Sequence, residues 1–322
     1  MSVTPSPGRP RERCATRADS RGDHMLGSAV PAARLLLVEQ PFPWGSEGLR
    51  TSRFDPATAL AVEARARVEG VRVQAIRRPG RDVDRAQRRW ALVDTRDATR
   101  MLRWGTFTDD AELLELPLDG SLGEPDAGPL YLVCTHGKHD PCCALRGRPL
   151  TAALAAVRPR QVWQASHLGG CRFAPTVLVL PLGLMYGRVP PTAAPELVTA
   201  AEADEVIGTL LRGRIGVPPA AQAAIGFAHE QLGLPRCRDV SLVSTTTLDG
   251  TTVRVRVDTP RGQLDVTVTR ERVDATGLTC ASPGPSWFVA HRPVAIEPVR
   301  GVKRGRDSNP RPSGYEYDPR IN

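Results

Sequence analysis

The chain is nearly devoid of lysine: Lys138 and Lys303 are the only two among 43 basic side chains, the rest being arginine. That skew follows GC-rich coding rather than selection for phosphate contacts. No Gly-rich nucleotide fingerprint, P-loop or nucleophile elbow occurs, which removes the commonest nucleotide-binding and hydrolase motifs. Long apolar runs are also missing. The longest, such as Val177 to Leu182, fall far short of the roughly 20 residues a membrane span needs. With no apolar stretch near the N-terminus to act as a secretory signal, the expectation is a cytoplasmic protein with no membrane partner. In that compartment cysteines stay reduced, so clustered thiols read as metal or redox ligands. No internal repeat stands out, although LLLVEQ and LYLVC look like the openings of two similar layers.

The formal charge of +8 sits mostly in the ends. Residues 1–25 carry five arginines against three acids, and residues 300–322 carry six basic residues against three acids. The body is close to balanced, so no nucleic-acid partner is expected.

At 322 residues with 41% apolar content, the chain can furnish more than one core. ARLLLVEQ followed by PFPWG reads as a buried strand and a turn. Asp55-Pro56 supplies a helix N-cap with proline at the first helical position. Gly70 stops that helix, VRVQAI follows as a strand, and RWALVD is another, which makes a β-α-β unit. The arginines from Arg72 to Arg103 alternate with acids, as on a solvated face. After an Asp/Gly/Pro linker, LYLVC reads as a strand, Arg148 to Val157 as a helix, VWQAS as a strand, and TVLVLP with LMYGRV as a hairpin. From Ala194 the pattern is helical through PELVTAAEADEVIGTLLRGRI and PAAQAAIGFAHEQLG, with His229 a packed or surface residue. Residues 239–269 then alternate with period two, with Asp249-Gly250 as a hairpin turn. Cys14 reads as an incidental thiol in a flexible arm, Cys237 and Cys280 as buried free thiols. The tail RGRDSNPRPSGYEYDP reads either as read-through into a transfer-RNA gene or as an ordinary disordered end.

Against this background one stretch is dense in soft ligands. Residues 130–189 hold Cys134, Cys142, Cys143 and Cys171, four of the seven cysteines, and His136, His139 and His167, three of the six histidines. That density asks for a metal first. Eight residues separate Cys134 from Cys143, and three separate His167 from Cys171, bracketing a Gly169-Gly170 turn that excludes a regular helix. Zinc is one candidate, since Cys₃His is a common structural set, but the first spacing exceeds that of zinc knuckles. A metal-free thiol redox protein is another, although adjacent Cys142-Cys143 is no C-x-x-C motif.

VCTHGKHDPCC followed by SHLGGCRFAPTVLVLPLGLMYGRV resembles the sucrase/ferredoxin-like family, related to thioredoxin-fold 2Fe-2S ferredoxins. LLLVEQPFPWG and the LTC at Cys280 support the likeness more loosely. The resemblance implies an α/β fold of tandem thioredoxin-like layers with a C-terminal β-rich extension. Its divisions would be a disordered arm over 1–28, a thioredoxin-like domain over 29–118, a cluster domain over 119–232, a β-rich segment over 233–299 and a disordered tail over 300–322. It also implies a 2Fe-2S cluster on Cys134, Cys143, His167 and Cys171, with His136, His139 and Cys142 as spares. Family members use a second histidine where this chain has Cys171. One-electron transfer with a redox partner protein is the implied role. Sucrose hydrolysis is not expected, since it needs two carboxylates and the stretch offers only Asp140.

Overall fold

The computed structural model describes residues 12–80, 87–96 and 99–299. Residues 1–11 and 300–322, expected to be disordered, lie outside them. Helix α1 (Cys14–Arg21) occupies part of the 1–28 arm, where the composition predicts disorder. Its buried face is only Cys14, Ala15 and Ala18, too little apolar area to register in a composition reading. Ion pairs of Asp19 with Arg146 (2.8 Å) and Arg188 (2.7 Å) hold it instead, and Gly22 caps it at φ 66°.

Strand β1 (Arg34–Glu39) is buried from Leu35 onward, as its unbroken apolar run requires. Helix α2 (Pro56–Val68) starts at the Asp55 cap, whose carboxylate accepts from the Thr58 N–H at 2.7 Å, and leads to β2 (Val71–Arg77). β2 pairs parallel to β1, while β3 (Arg88–Asp94) and β4 (Met101–Phe107) add antiparallel neighbours. Short α3 (Glu112–Glu115) and β5 (Glu124–Pro125) complete this half.

The second half repeats the plan. β6 (Leu130–Cys134), α4 (Pro141–Val157) and β7 (Val162–Ala165) form a parallel β-α-β unit. β8 (Val177–Leu180) and β9 (Leu184–Tyr186) follow antiparallel. Strand order is β2-β1-β3-β4 in one half and β7-β6-β8-β9 in the other. The two openings LLLVEQ and LYLVC therefore occupy equivalent central strands. The halves are not separate layers, however: Ile76 pairs with Ala165 and Arg77 with Gln164, antiparallel, which fuses them into one ten-stranded sheet.

The helical reading after Ala194 holds for α5 (Ala194–Glu202) and α6 (Pro219–Leu232). Between them lies strand β10 (Leu211–Arg214), paired with β9; Gly213 at φ 144° and Gly216 at φ 84° are incompatible with a continuing helix. The period-two region becomes β11 (Ser241–Thr247), β12 (Thr252–Thr259) and β13 (Gly262–Thr276). A fourth strand, β14 (Pro285–Pro298), pairs along β13. Its prolines argue against a strand in sequence, yet they are tolerated because β14 is at the sheet edge. The alanines of α6 pack on Val253, Val255, Val257, Val266 and Val268 of this sheet. Among the described residues no helix is long and apolar enough to cross a membrane.

Candidate metal centre

Cys134 ends β6, where its N–H bonds the Thr176 carbonyl at 3.0 Å. Cys143 lies in the first turn of α4. That turn is initiated by Asp140, whose carboxylate accepts from the Cys142 N–H at 2.8 Å, with Pro141 at the first helical position. His167 follows β7. The Gly169-Gly170 turn, at φ 94° and 68°, carries the chain round so that the Cys171 thiol returns to 3.6 Å from His167 Nδ1. The ligand atoms of Cys134, Cys143 and His167 all lie within 4.8 Å of one another, as do those of His139, His167 and Cys171. The Cys143 thiol also contacts those of Cys134 and Cys171. All four residues that the resemblance implies as ligands are thus brought together. The three cysteines are buried and His167 is half-buried.

The electrostatics favour thiolates at Cys134 and Cys171. Hydrogen bonding from Cys143 is the largest influence holding Cys134 well below the ordinary thiol range; burial opposes it, and His167 and the Leu168 N–H reinforce it. Cys171 is lowered to about 7, again mainly by Cys143 and then by His167, against burial. Cys143, donating to both neighbours, is pushed up. For His167, burial acts downward, but the bonds to Cys134 and Cys171 outweigh it and raise the imidazole to about 9. A cation that takes the place of the Cys143 and His167 protons would meet two donors, Cys134 and Cys171, already biased toward thiolate.

Two of the three spares are committed elsewhere, while His139 stays within ligand distance of His167 and Cys171. Both ring nitrogens of His136 are committed to backbone: Nε2 to the Gly45 carbonyl at 2.5 Å, and Nδ1 accepting the His167 N–H at 3.1 Å. It positions His167 rather than competing with it. His139 is exposed and stacks on the His167 ring at 3.8 Å. Cys142 turns away from Cys143 toward Cys14 and Cys280.

Two arginines reach the centre against expectation, Arg72 from the run expected on a solvated face and Arg212 from the stretch expected to be helical. Arg212, in a stretch read as helix, is fully buried and joins Gly169 O (2.9 Å), Thr176 Oγ1 (3.4 Å), Ser28 Oγ (3.1 Å) and Ser28 O (2.5 Å). Burial pushes it down to about 9, while the nearby thiols act to keep it charged. Arg72 donates to the His167 carbonyl at 3.2 Å. Of the other arginines in the run expected on a solvated face, Arg77 stands over Trp44, Arg78 over Trp163 and Arg89 over Trp104, while Arg88, Arg96 and Arg100 pair with Asp110, Asp94 and Asp204. With Gly45 and Ser46, Arg72 places the centre at the seam between the two halves. No local pattern in sequence marks either arginine.

Arg212→Met is expected to lower stability by about 3–5 kcal/mol, because several buried acceptors lose their donor at roughly 1–3 kcal/mol each. A thermal melt should show a fall on the order of 10 °C. Arg212→Lys should recover only part, since a point charge cannot reproduce the guanidinium fork.

Two halves that each run β-α-β, then β-β antiparallel, define a thioredoxin-like protein, and the second half carries the thiol–imidazole centre. The chain belongs to the sucrase/ferredoxin-like family, which it matches over residues 25–213. Among solved structures it is similar to a thioredoxin-like [2Fe-2S] ferredoxin from Aquifex aeolicus, at 21% identity over 29% of this chain and 97% of that one, with a TM-score of 0.26. A cysteine-to-serine variant of that ferredoxin is similar at 24% identity, over 26% and 96% of the two chains, with a TM-score of 0.23. No curated protein matches the chain.

Proposed function

We propose that Cys134, Cys143, His167 and Cys171 hold a 2Fe-2S cluster and that the protein is a one-electron carrier. The convergence of three buried thiols and one imidazole from β6, α4 and the turn after β7 is the observation that carries this reading. The residues fit such a group: the thiols of Cys134 and Cys171 are lowered, the Leu168 N–H bonds Cys134, and Arg212 and Arg72 offset negative charge in a site with little solvent. When bound, a 2Fe-2S cluster supplies a reversible one-electron couple. Cys134 and Cys143 anchor one side of the centre in the core, while His167 forms its outer edge. The exposed ring of His139, stacked on His167, is where a redox partner protein would approach.

The test is the protein as isolated, with iron, acid-labile sulfide and zinc measured together with its visible spectrum. Iron with equimolar sulfide supports the carrier. Zinc at Cys134 and Cys143, with no iron, means a structural module instead.

The fourth ligand sets the potential. Three thiolates on an oxidised core of formal charge +2 leave about −1, whereas two thiolates and two neutral imidazoles leave about 0. Negative charge stabilises the oxidised state. Cys171→His is therefore expected to retain a cluster and raise the reduction potential, read by redox titration against the parent protein. An unchanged potential would show that Cys171 does not touch iron.

A further inference from the structure

Cys14, Cys142 and Cys280 come from α1, α4 and the loop between β13 and β14. Their sulfurs form a nearly equilateral triangle: Cys14–Cys142 3.6 Å, Cys142–Cys280 3.5 Å and Cys14–Cys280 3.6 Å. The carboxylate of Asp140 completes the group, with Oδ2 at 3.5 Å from Cys14 Sγ and all four ligand atoms within 4.8 Å of one another. A tetrahedral zinc with Zn–S of about 2.3 Å and Zn–O of about 2.0 Å requires S···S edges of about 3.8 Å and S···O edges of about 3.5 Å. The triangle needs to open by only a few tenths of an ångström. We propose that these four residues form a second metal site, separate from the Cys134/Cys143/His167/Cys171 centre, which takes one zinc-class divalent ion.

The surroundings suit an anionic centre. Cys14 opens α1 and Cys142 lies in the first turn of α4, so two helix N-termini converge on it. Backbone N–H groups already point at the donors: Cys14 N at Cys280 Sγ (3.5 Å), Cys280 N at Asp140 Oδ2 (2.8 Å) and Cys142 N at Asp140 Oδ1 (2.8 Å). Cys14, Cys142 and Asp140 are buried and Cys280 is partly so. On binding, the divalent ion replaces the thiol protons, which pass to solvent, and no oxidant or reductant is involved. The consequence is structural. An eight-residue helix is far too short to persist alone, and the 277–284 loop has little apolar material. One ion would clasp both to the first turn of α4, the turn that also presents Cys143. Cys14 and Cys280 lie outside the family match over residues 25–213.

Metal analysis of the full chain as isolated should give about one zinc per molecule in addition to any iron. Cys280→Ser, at the partly exposed corner, and Asp140→Asn, which keeps the helix cap, should lose the zinc and keep the iron; Cys134→Ser should do the reverse. Should a variant fail to fold, X-ray absorption at the zinc edge of the wild-type protein gives the answer, with three sulfurs near 2.3 Å and one oxygen near 2.0 Å expected. Three results overturn the proposal: wild-type protein without a divalent ion, zinc retained when Cys14 and Cys280 are both serine, or peptide mapping that finds a Cys14–Cys142 disulfide.

Discussion

Serine at Cys134 or at Cys143 is expected to take the iron from about two atoms per chain to near zero, while serine at the adjacent Cys142 leaves it in place. The two neighbours differ because successive residues on a helix point about a third of a turn apart. In the first turn of α4 this rotation turns Cys143 toward Cys134 and Cys171, and Cys142 toward Cys14 and Cys280. A serine hydroxyl is a poor substitute for thiolate on iron, and at Cys134 or Cys143 it would also sit in a buried site beside an unpaired donor set. Iron quantitation and the visible absorbance of the three variants decide the matter. Iron lost from Cys142→Ser and kept in Cys143→Ser would mean that the ligand is one residue earlier.

Valine at Gly147 should empty the same centre although every ligand residue is left unchanged. Gly147 is four residues beyond Cys143, on the same helix face, and lies against the end of β6. A Cβ at Gly147 would overlap the Cys134 carbonyl oxygen and come to 3.5 Å from Thr135 Cγ2. Helix propensity alone makes any such substitution favourable, since glycine in a helix interior costs about 1 kcal/mol relative to alanine. Overpacking against backbone costs about 1–3 kcal/mol, rising with side-chain size, and so wins. Relief requires α4 to move off β6, which widens the gap between Cys143 and Cys134. Gly147→Ala is expected to lower the melting temperature by several degrees and reduce iron content, and Gly147→Val to lose most of the iron. A Gly147→Ala protein that is more stable and fully loaded would show that this contact does not set the spacing of the centre.

Much of the plan was legible from residues in order. The buried runs LLLVEQ and LYLVC, the Asp55-Pro56 cap, the alternation after residue 239 and the Gly169-Gly170 turn each state a local preference, and the structure follows each one. The stretch from Cys134 to Cys171 was recognisable because its candidate ligands are close in sequence, on β6, the first turn of α4 and the turn after β7. Local pattern misleads where long-range contacts override it. The arm around Cys14 is ordered by Arg146 and Arg188, well over a hundred residues away, and the prolines of β14 are harmless only because, among the described residues, that strand is at the edge of its sheet.

By itself, then, the sequence determined the class of fold, two β-α-β units with a period-two extension, and the residues dense enough in soft ligands to hold a metal. Hydrophobic periodicity and turn chemistry act over a few residues and so can be read directly. Tertiary structure alone decided that the two units share one sheet through Ile76 and Ala165, and that His136 Nδ1 accepts the His167 N–H and braces it. It also decided that Arg212 is buried beside the thiols and that Cys14 and Cys280 meet Cys142. Each of these joins residues separated by tens to hundreds of positions, and which side chain faces which is settled by the packing of helices on the sheet, a geometry that no local preference encodes.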